Sequence, residues 1–174
     1  QKTAYEIRPR DWSSDVCSSD LAVSIPVIAA GGIATGRQML AAMALGASGV
    51  QVGTRFLASE ESSAHPDFKH KVIQAKEGDT HLMMRKLVPV RLLQNAFYKR
   101  IEEAEARGAT ADELKELLGR ARAKKGMFEG DLEEGELEIG QVSALLHDIL
   151  PAGQIVRHLL EEYQQALSEL QAAR

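Results

Sequence analysis

The sequence predicts an α/β fold, because two short apolar strands follow each other and each ends in a glycine turn where a helix can begin. The first strand is expected over residues 25–30, a run rich in β-branched residues that stops at Gly31 and Gly32. The second is expected over residues 49–52 and stops at Gly53 and Thr54. Strands as apolar as these are expected to be buried on both faces, as in parallel sheets covered by helices.

The segment between the strands predicts an amphipathic helix. Thr35 and Gln38 have capping-box spacing, and Gly46 provides a stop signal. Apolar residues recur between them at helical intervals, namely Met39, Leu40, Met43 and Ala44. A strand, helix and strand joined by short loops form a parallel, right-handed unit.

Both glycine turns are typical of phosphate binding, because glycine lets the backbone approach an oxyanion and a helix N-terminus offers N–H donors. In a (β/α)8 TIM barrel, phosphate commonly lies between the loops after strands 7 and 8. We therefore predict that residues 22–64 are strands 7 and 8 of such a barrel. For either turn alone, glycines that merely permit a tight turn are an equal alternative.

Downstream, residues 65–174 predict a mostly helical C-terminal extension of the same domain. The apolar spacing over residues 82–107 favours a helix interrupted at Pro89. A second capping box, Thr110 with Glu113, predicts another helix, and Pro151 begins the last one. The acidic residues 129–138 keep no calcium-ligand spacing and are expected to form a solvated loop, so no metal site is predicted.

Residues 1–21 resemble a translated sequencing adapter, because their codons can be read as two stock library oligonucleotides flanking an index. We exclude them from the fold and expect no ordered structure there. The segment contains Cys17 and Trp12, the chain's only cysteine and only tryptophan, so neither supports an inference.

Charge and length restrict the remaining possibilities. The chain carries 21 Lys and Arg against 25 Asp and Glu, a net charge of −4, which does not suggest a nucleic-acid partner. No apolar run approaches the roughly 20 residues that span a bilayer, so a cytoplasmic protein is expected. A complete barrel needs about 250 residues, so we expect a C-terminal fragment.

Several motifs resemble the nitronate monooxygenase family, which includes flavin-dependent enoyl-acyl-carrier-protein reductases. They are IPVIAAGGI at 25–33, LGA at 45–47, VQVGTRF at 50–56, ESSAHP at 61–66 and GDLEEGELEIGQ at 130–141. Barrels similar to IMP dehydrogenase share the double-glycine turn, but their catalytic cysteine loop is not seen in this sequence.

This resemblance implies an FMN-binding barrel. It implies two sets of phosphate-binding residues, Gly31 and Gly32 in one loop and Gln51, Val52, Gly53 and Thr54 in the next. In the family, the flavin-ring contacts and the histidine base come from earlier strands, so no catalytic residue is expected in this chain. His65 is interpreted as a helix-entry residue bonded to backbone, and Arg55 is left out of the site as an outward, salt-bridging arginine.

The resemblance implies an FMN-dependent nitronate monooxygenase that oxidises alkyl nitronates with O2. The alternative is an enoyl-acyl-carrier-protein reductase that uses NAD(P)H. A third hypothesis is that the literal chain is an inactive, incomplete barrel, because two parallel strands without neighbours leave open edges. The oligomeric state is not predicted.

Overall fold

The computed structural model describes residues 23–173, and the adapter prediction for residues 1–21 lies outside this range. The described chain divides into two units. One comprises residues 23–53 and 153–173, and the other is Thr54–Ala152. Each unit is described separately below.

The first unit contains a strand, helix and strand in succession, which confirms the α/β class. Strand β1 is Ile28–Ala30, helix α1 is Gly36–Ala44, and strand β2 is Gly49–Gln51. The strands pair in parallel, with Ile28 opposite Gly49 and Ala30 opposite Gln51. The assignment of these strands as 7 and 8 of a barrel stays a prediction.

The prediction of a strand buried on both faces is wrong for β1 in this chain. Ala29 is 2% exposed, whereas its neighbour Ile28 is 54% exposed. Ala29 packs in a cluster with Ala42 of α1 and with Val50 of β2. Within this unit the helix covers one face of the two-stranded sheet, so side chains alternate between buried and exposed.

Helix α1 begins as the sequence predicts. Thr35 and Gln38 form a complete capping box, in which each side chain bonds to the backbone of the other residue. The same unit contains the last helix, α6 at Ala152–Ala172, which begins one residue after Pro151. The predicted start of the last helix is therefore confirmed.

The second unit begins with two short helices and a hairpin. Its helices are α2 at Thr54–Leu57, α3 at Pro66–Ile73, α4 at Ala96–Ala106 and α5 at Ala111–Leu118. Strands β3, Thr80–Met83, and β4, Val90–Leu93, pair antiparallel. A π-helical turn at Lys124–Phe128 and a 3-10 turn at Gln141–Leu145 follow.

The prediction of a helix over residues 82–107 is wrong in its first half, which is the β3–β4 hairpin. Met84, which directly follows β3, has a φ of 53°, which no α-helix accommodates. Helix α4 starts only after Asn95, whose side chain accepts the N–H of Tyr98 at 2.8 Å. The extension therefore contains helices, this hairpin and further segments without helix, among them residues 129–140.

Helices α4 and α5 form the core of the second unit with the hairpin. The fully buried residues include Leu92, Phe97, Ile101 and Leu114. Thr110 and Glu113 form the predicted second capping box. The leucines of α5, Leu114, Leu117 and Leu118, pack in or against this core. Over residues 23–173, none of the helices is both long enough and apolar enough to cross a membrane.

Candidate phosphate-binding site

The predicted phosphate-binding residues of the first unit lie at one edge of its sheet. Gly31 and Gly32 follow β1 directly, and Val52 and Gly53 follow β2, whose last residue is Gln51. Because β1 and β2 are parallel, hydrogen-bonded neighbours, both chain segments leave the sheet at its carboxyl edge. Ligands of α/β sheets bind at this edge.

The glycines of the first turn are required by backbone conformation. Gly31 has a φ of 90° and Gly32 a φ of 70°. Side chains other than glycine rarely adopt these values. A Cβ added at Gly31 would meet no atom within 4 Å, so packing does not demand the glycine.

Gly53 differs from these two residues, because its φ is not positive. An added Cβ at Gly53 would also meet no atom within 4 Å. Neither conformation nor packing among the described residues therefore explains the missing side chain. The bare backbone at Gly53 leaves room for a group that the described chain does not supply.

The first turn of α1 does not offer the free donors expected of a helix N-terminus. The N–H groups of Ala34 and Thr35 donate to Gln38 Oε1 at 2.8 and 3.1 Å, and that of Gly36 donates to Glu162 Oε2 at 2.7 Å. The carboxylate of Glu162 also lies where the helix dipole is positive. Acceptors within the chain therefore already occupy the N–H groups of Ala34, Thr35 and Gly36.

Backbone donors remain in the loop before α1. The N–H groups of Gly32 and Ile33 have no hydrogen-bond partner among residues 23–173. The same holds for the N–H of Gly53. Among the described residues, these three N–H groups therefore remain open to water or to a ligand.

Thr54, the first residue of α2, contacts Gly140. Its Oγ1 accepts the Gly140 N–H at 3.2 Å. Gly140 and Gln141 are the last two residues of the motif at 130–141, and Gln141 opens the 3-10 turn as an exposed residue. The hydrogen bond between Thr54 and Gly140 joins two segments that are 86 residues apart in sequence. No local sequence pattern predicts a contact over this separation.

Arg55 is salt-bridged, as predicted, but it is buried rather than outward. Its Nη2 lies 2.5 Å from Asp148 Oδ1, and its Nη1 donates to the Asp148 carbonyl at 2.9 Å. The residue is 8% exposed. The Arg55 guanidinium is bonded to Asp148, which is consistent with leaving Arg55 out of the phosphate site.

His65 is a helix-entry residue, as predicted. Its Nδ1 accepts the N–H of Asp67 at 3.2 Å and caps α3. A Cβ at Gly130 would lie 2.5 Å from the same ring nitrogen, so the imidazole is packed on backbone. His81 lies on β3.

The acidic segment is not fully solvated, which corrects the sequence prediction. Glu136 is 6% exposed and Leu137 is fully buried. Burial and, to a smaller extent, the neighbouring Glu138 raise the pKa of Glu136 to about 7, although Arg122 acts to lower it. Burial also raises the pKa of Glu138. No group of metal-binding side chains is found among the described residues.

The chain belongs to the nitronate monooxygenase family. The family model for nitronate monooxygenase matches residues 16–162. A probable nitronate monooxygenase from Bacillus subtilis is 33% identical over 142 residues, which is 81% of this chain and 41% of that protein.

Two solved structures are similar to the chain. FabK from Thermotoga maritima matches 91% of the chain at 40% identity, with a TM-score of 0.84. Nitroalkane oxidase from Streptomyces ansochromogenes matches 98% at 30% identity, with a TM-score of 0.77. The chain spans 50% and 48% of those two chains, respectively.

Proposed function

We propose that the chain supplies the phosphate-binding end of an FMN-dependent oxidoreductase, at strands 7 and 8 of a (β/α)8 barrel. In this proposal two loops hold the FMN phosphate. Gly31 and Gly32 contribute from the loop after β1, and Gln51, Val52, Gly53 and Thr54 contribute from the segment after β2.

The backbone at Gly53 is the observation that carries this proposal. Its glycine identity is not explained by φ or by any atom of residues 23–173 within 4 Å. It lies at the carboxyl edge of the parallel strands, where the N–H groups of Gly32 and Ile33 also have no partner in the described part of the chain. Free backbone donors beside bare glycines fit a phosphate, which carries several acceptor oxygens.

The activity proposed for the whole protein is nitronate monooxygenation, in which an alkyl nitronate is oxidised with O2. FMN supplies the redox chemistry when it is bound. The residues of this chain bind and orient the cofactor through its phosphate, and no catalytic side chain is assigned among them. Support comes from the family match and from the curated relatives named probable nitronate monooxygenase.

A second candidate is the enoyl-acyl-carrier-protein reductase activity that the sequence resemblance also implies, with NAD(P)H as the reductant. The sequence identity to the FabK structure supports it, at 40% against 30% for nitroalkane oxidase. Both candidates use every phosphate-binding residue named above. The choice between them depends on residues that touch the flavin ring and substrate.

The two activities are distinguished by parallel assays on the full-length gene product. Nitronate-dependent O2 uptake is expected with an alkyl nitronate, and little NADH or NADPH oxidation with crotonyl thioester. The reverse result would replace the first candidate with the second. If neither activity appears in a flavin-loaded protein, both candidates are wrong while the phosphate site stands.

A further inference from the structure

The contact between Gly140 and Thr54 fixes the direction of a hydroxyl proton. The Gly140 N–H donates to Thr54 Oγ1 at 3.2 Å and so occupies one of the two lone pairs of that oxygen. The hydroxyl proton must therefore point away from Gly140. Among residues 23–173, no acceptor receives it.

The close approach of Thr54 leaves no room for a side chain at position 140. Its φ of −74° and ψ of 155° are ordinary extended values that any residue adopts. An added Cβ would lie 2.6 Å from Thr54 Oγ1, closer than real Cβ contacts. A larger residue at this position would have to displace the hydroxyl.

Hydrogen bonds restrain the chain next to both Gly140 and Thr54. On one side, the Ile139 N–H donates to the Arg91 carbonyl at 3.1 Å, immediately before Gly140. On the other side, Arg55 follows Thr54 and is bonded to Asp148. The hydroxyl is therefore oriented by a rigid frame rather than by a free side-chain rotation.

We infer that Gly140 is a positioning residue, whose N–H aims the Thr54 hydroxyl at a phosphate monoester oxygen. This inference rests on the proposed FMN site and deepens it. The Thr54 hydroxyl donates its proton to the anionic oxygen, a charge-assisted bond stronger than one between neutral groups. In this inference Gly140 acts on the cofactor only through its contact with Thr54.

FMN and riboflavin differ in the phosphate alone, so their affinities separate phosphate contacts from the rest of the site. In the full-length gene product, Thr54→Val should weaken FMN about ten- to hundredfold, because a hydrogen bond to a charged group is lost. Thr54→Ser should stay within about threefold of the wild type. Riboflavin affinity should not change in either variant.

Gly140→Ala should weaken FMN about tenfold or more and leave riboflavin unchanged. In a Thr54→Ala background, the same change should alter FMN affinity less than about twofold, because no hydroxyl remains to be displaced. Gly153→Ala is the matched control. Its Cβ would meet only Arg157 Nη1, at 3.8 Å, so no effect is expected.

The outcomes separate the inference from the proposed function. A wild-type protein with no preference for FMN over riboflavin would contradict the phosphate site itself. A clear preference combined with an FMN loss in Gly140→Ala that persists in the Thr54→Ala background would overturn the positioning role. An unchanged FMN affinity in Gly140→Ala would overturn it as well.

Amide hydrogen exchange tests the contact without a substitution at Gly140. The Gly140 N–H should exchange faster in Thr54→Val than in the wild type, because its acceptor is removed. Equal exchange rates would contradict the inference, even if Gly140→Ala failed to fold.

Discussion

Gly36 at the start of α1 donates its N–H to Oε2 of Glu162 on α6 at 2.7 Å, although 126 residues separate the two in sequence. An added Cβ at Gly36 would lie 2.3 Å from the Leu159 carbonyl oxygen of α6. The two helices thus approach to backbone contact. This approach orders the end of α1 that directly follows the first glycine turn.

Gly36→Ala should destabilise the protein. The new Cβ must push apart two helix backbones, and overpacking of this kind costs about 1–3 kcal/mol. Urea unfolding of the full-length gene product measures the loss. Gly153→Ala, on the same α6 and with an open position, should leave the free energy of unfolding nearly unchanged. Equal stability of the two variants would contradict the close approach.

Ser143→Ala should stabilise the protein. Ser143 is fully buried, and its Oγ has no hydrogen-bond partner among the described residues. A buried, unsatisfied hydroxyl costs about 1–3 kcal/mol, and alanine removes it with little change in volume. A thermal melt should show a higher Tm for the variant. A lower Tm would mean that the hydroxyl has a partner in the full-length protein.

The stability of the Glu136→Gln variant relative to the wild type should increase as the pH rises. Burial, aided by Glu138, raises the pKa of Glu136 to about 7, above its ordinary value of 4.5. A raised folded-state pKa gives stability that is complete below the unfolded pKa and is lost as pH rises through 7. The glutamine variant should therefore exceed the wild type by about 1–2 kcal/mol at pH 8.

The same comparison at pH 5 should show a much smaller difference between Glu136→Gln and the wild type. Urea unfolding at the two pH values measures it. Glu133→Gln removes an exposed carboxylate from the same segment and controls for the change in net charge. A stability difference that is constant from pH 5 to pH 8 would contradict a raised pKa.

Residues 22–174, produced as a separate polypeptide, should fail to bind FMN. The sheet face that carries Ile28 is apolar and uncovered by the described residues, and such faces promote association. Residues 22–174 purified alone should be poorly soluble and colourless. Stoichiometric flavin absorbance in that preparation would show that the two-stranded sheet suffices for the site.

Local signals predicted the parts of the fold that depend on local physics. Both capping boxes, Thr35 with Gln38 and Thr110 with Glu113, formed as predicted, because each requires only three-residue spacing. The β3–β4 hairpin was missed. Its leucines have spacings compatible with a helix, and only the tertiary pairing of Thr80 with Leu93 distinguishes the two structures.

The candidate site was predictable only in part. The glycines at the ends of β1 and β2 mark the turns in sequence. Gly31 and Gly32 have positive φ values, and a Cβ at Gly53 would meet no atom of the described chain within 4 Å. The capping of α1 by Glu162 and the contact of Gly140 with Thr54 join distant segments. No periodicity or motif encodes such contacts, so they required the structure.

The affinity of Gly53→Ala for FMN, compared with riboflavin, tests the central claim most directly. A Cβ at Gly53 meets no atom of the described chain within 4 Å, so the protein itself should tolerate it. We expect an unchanged Tm without ligand, an FMN affinity reduced about tenfold or more, and an unchanged riboflavin affinity. Wild-type affinity for FMN in this variant would contradict the assignment of the two glycine turns as the phosphate site.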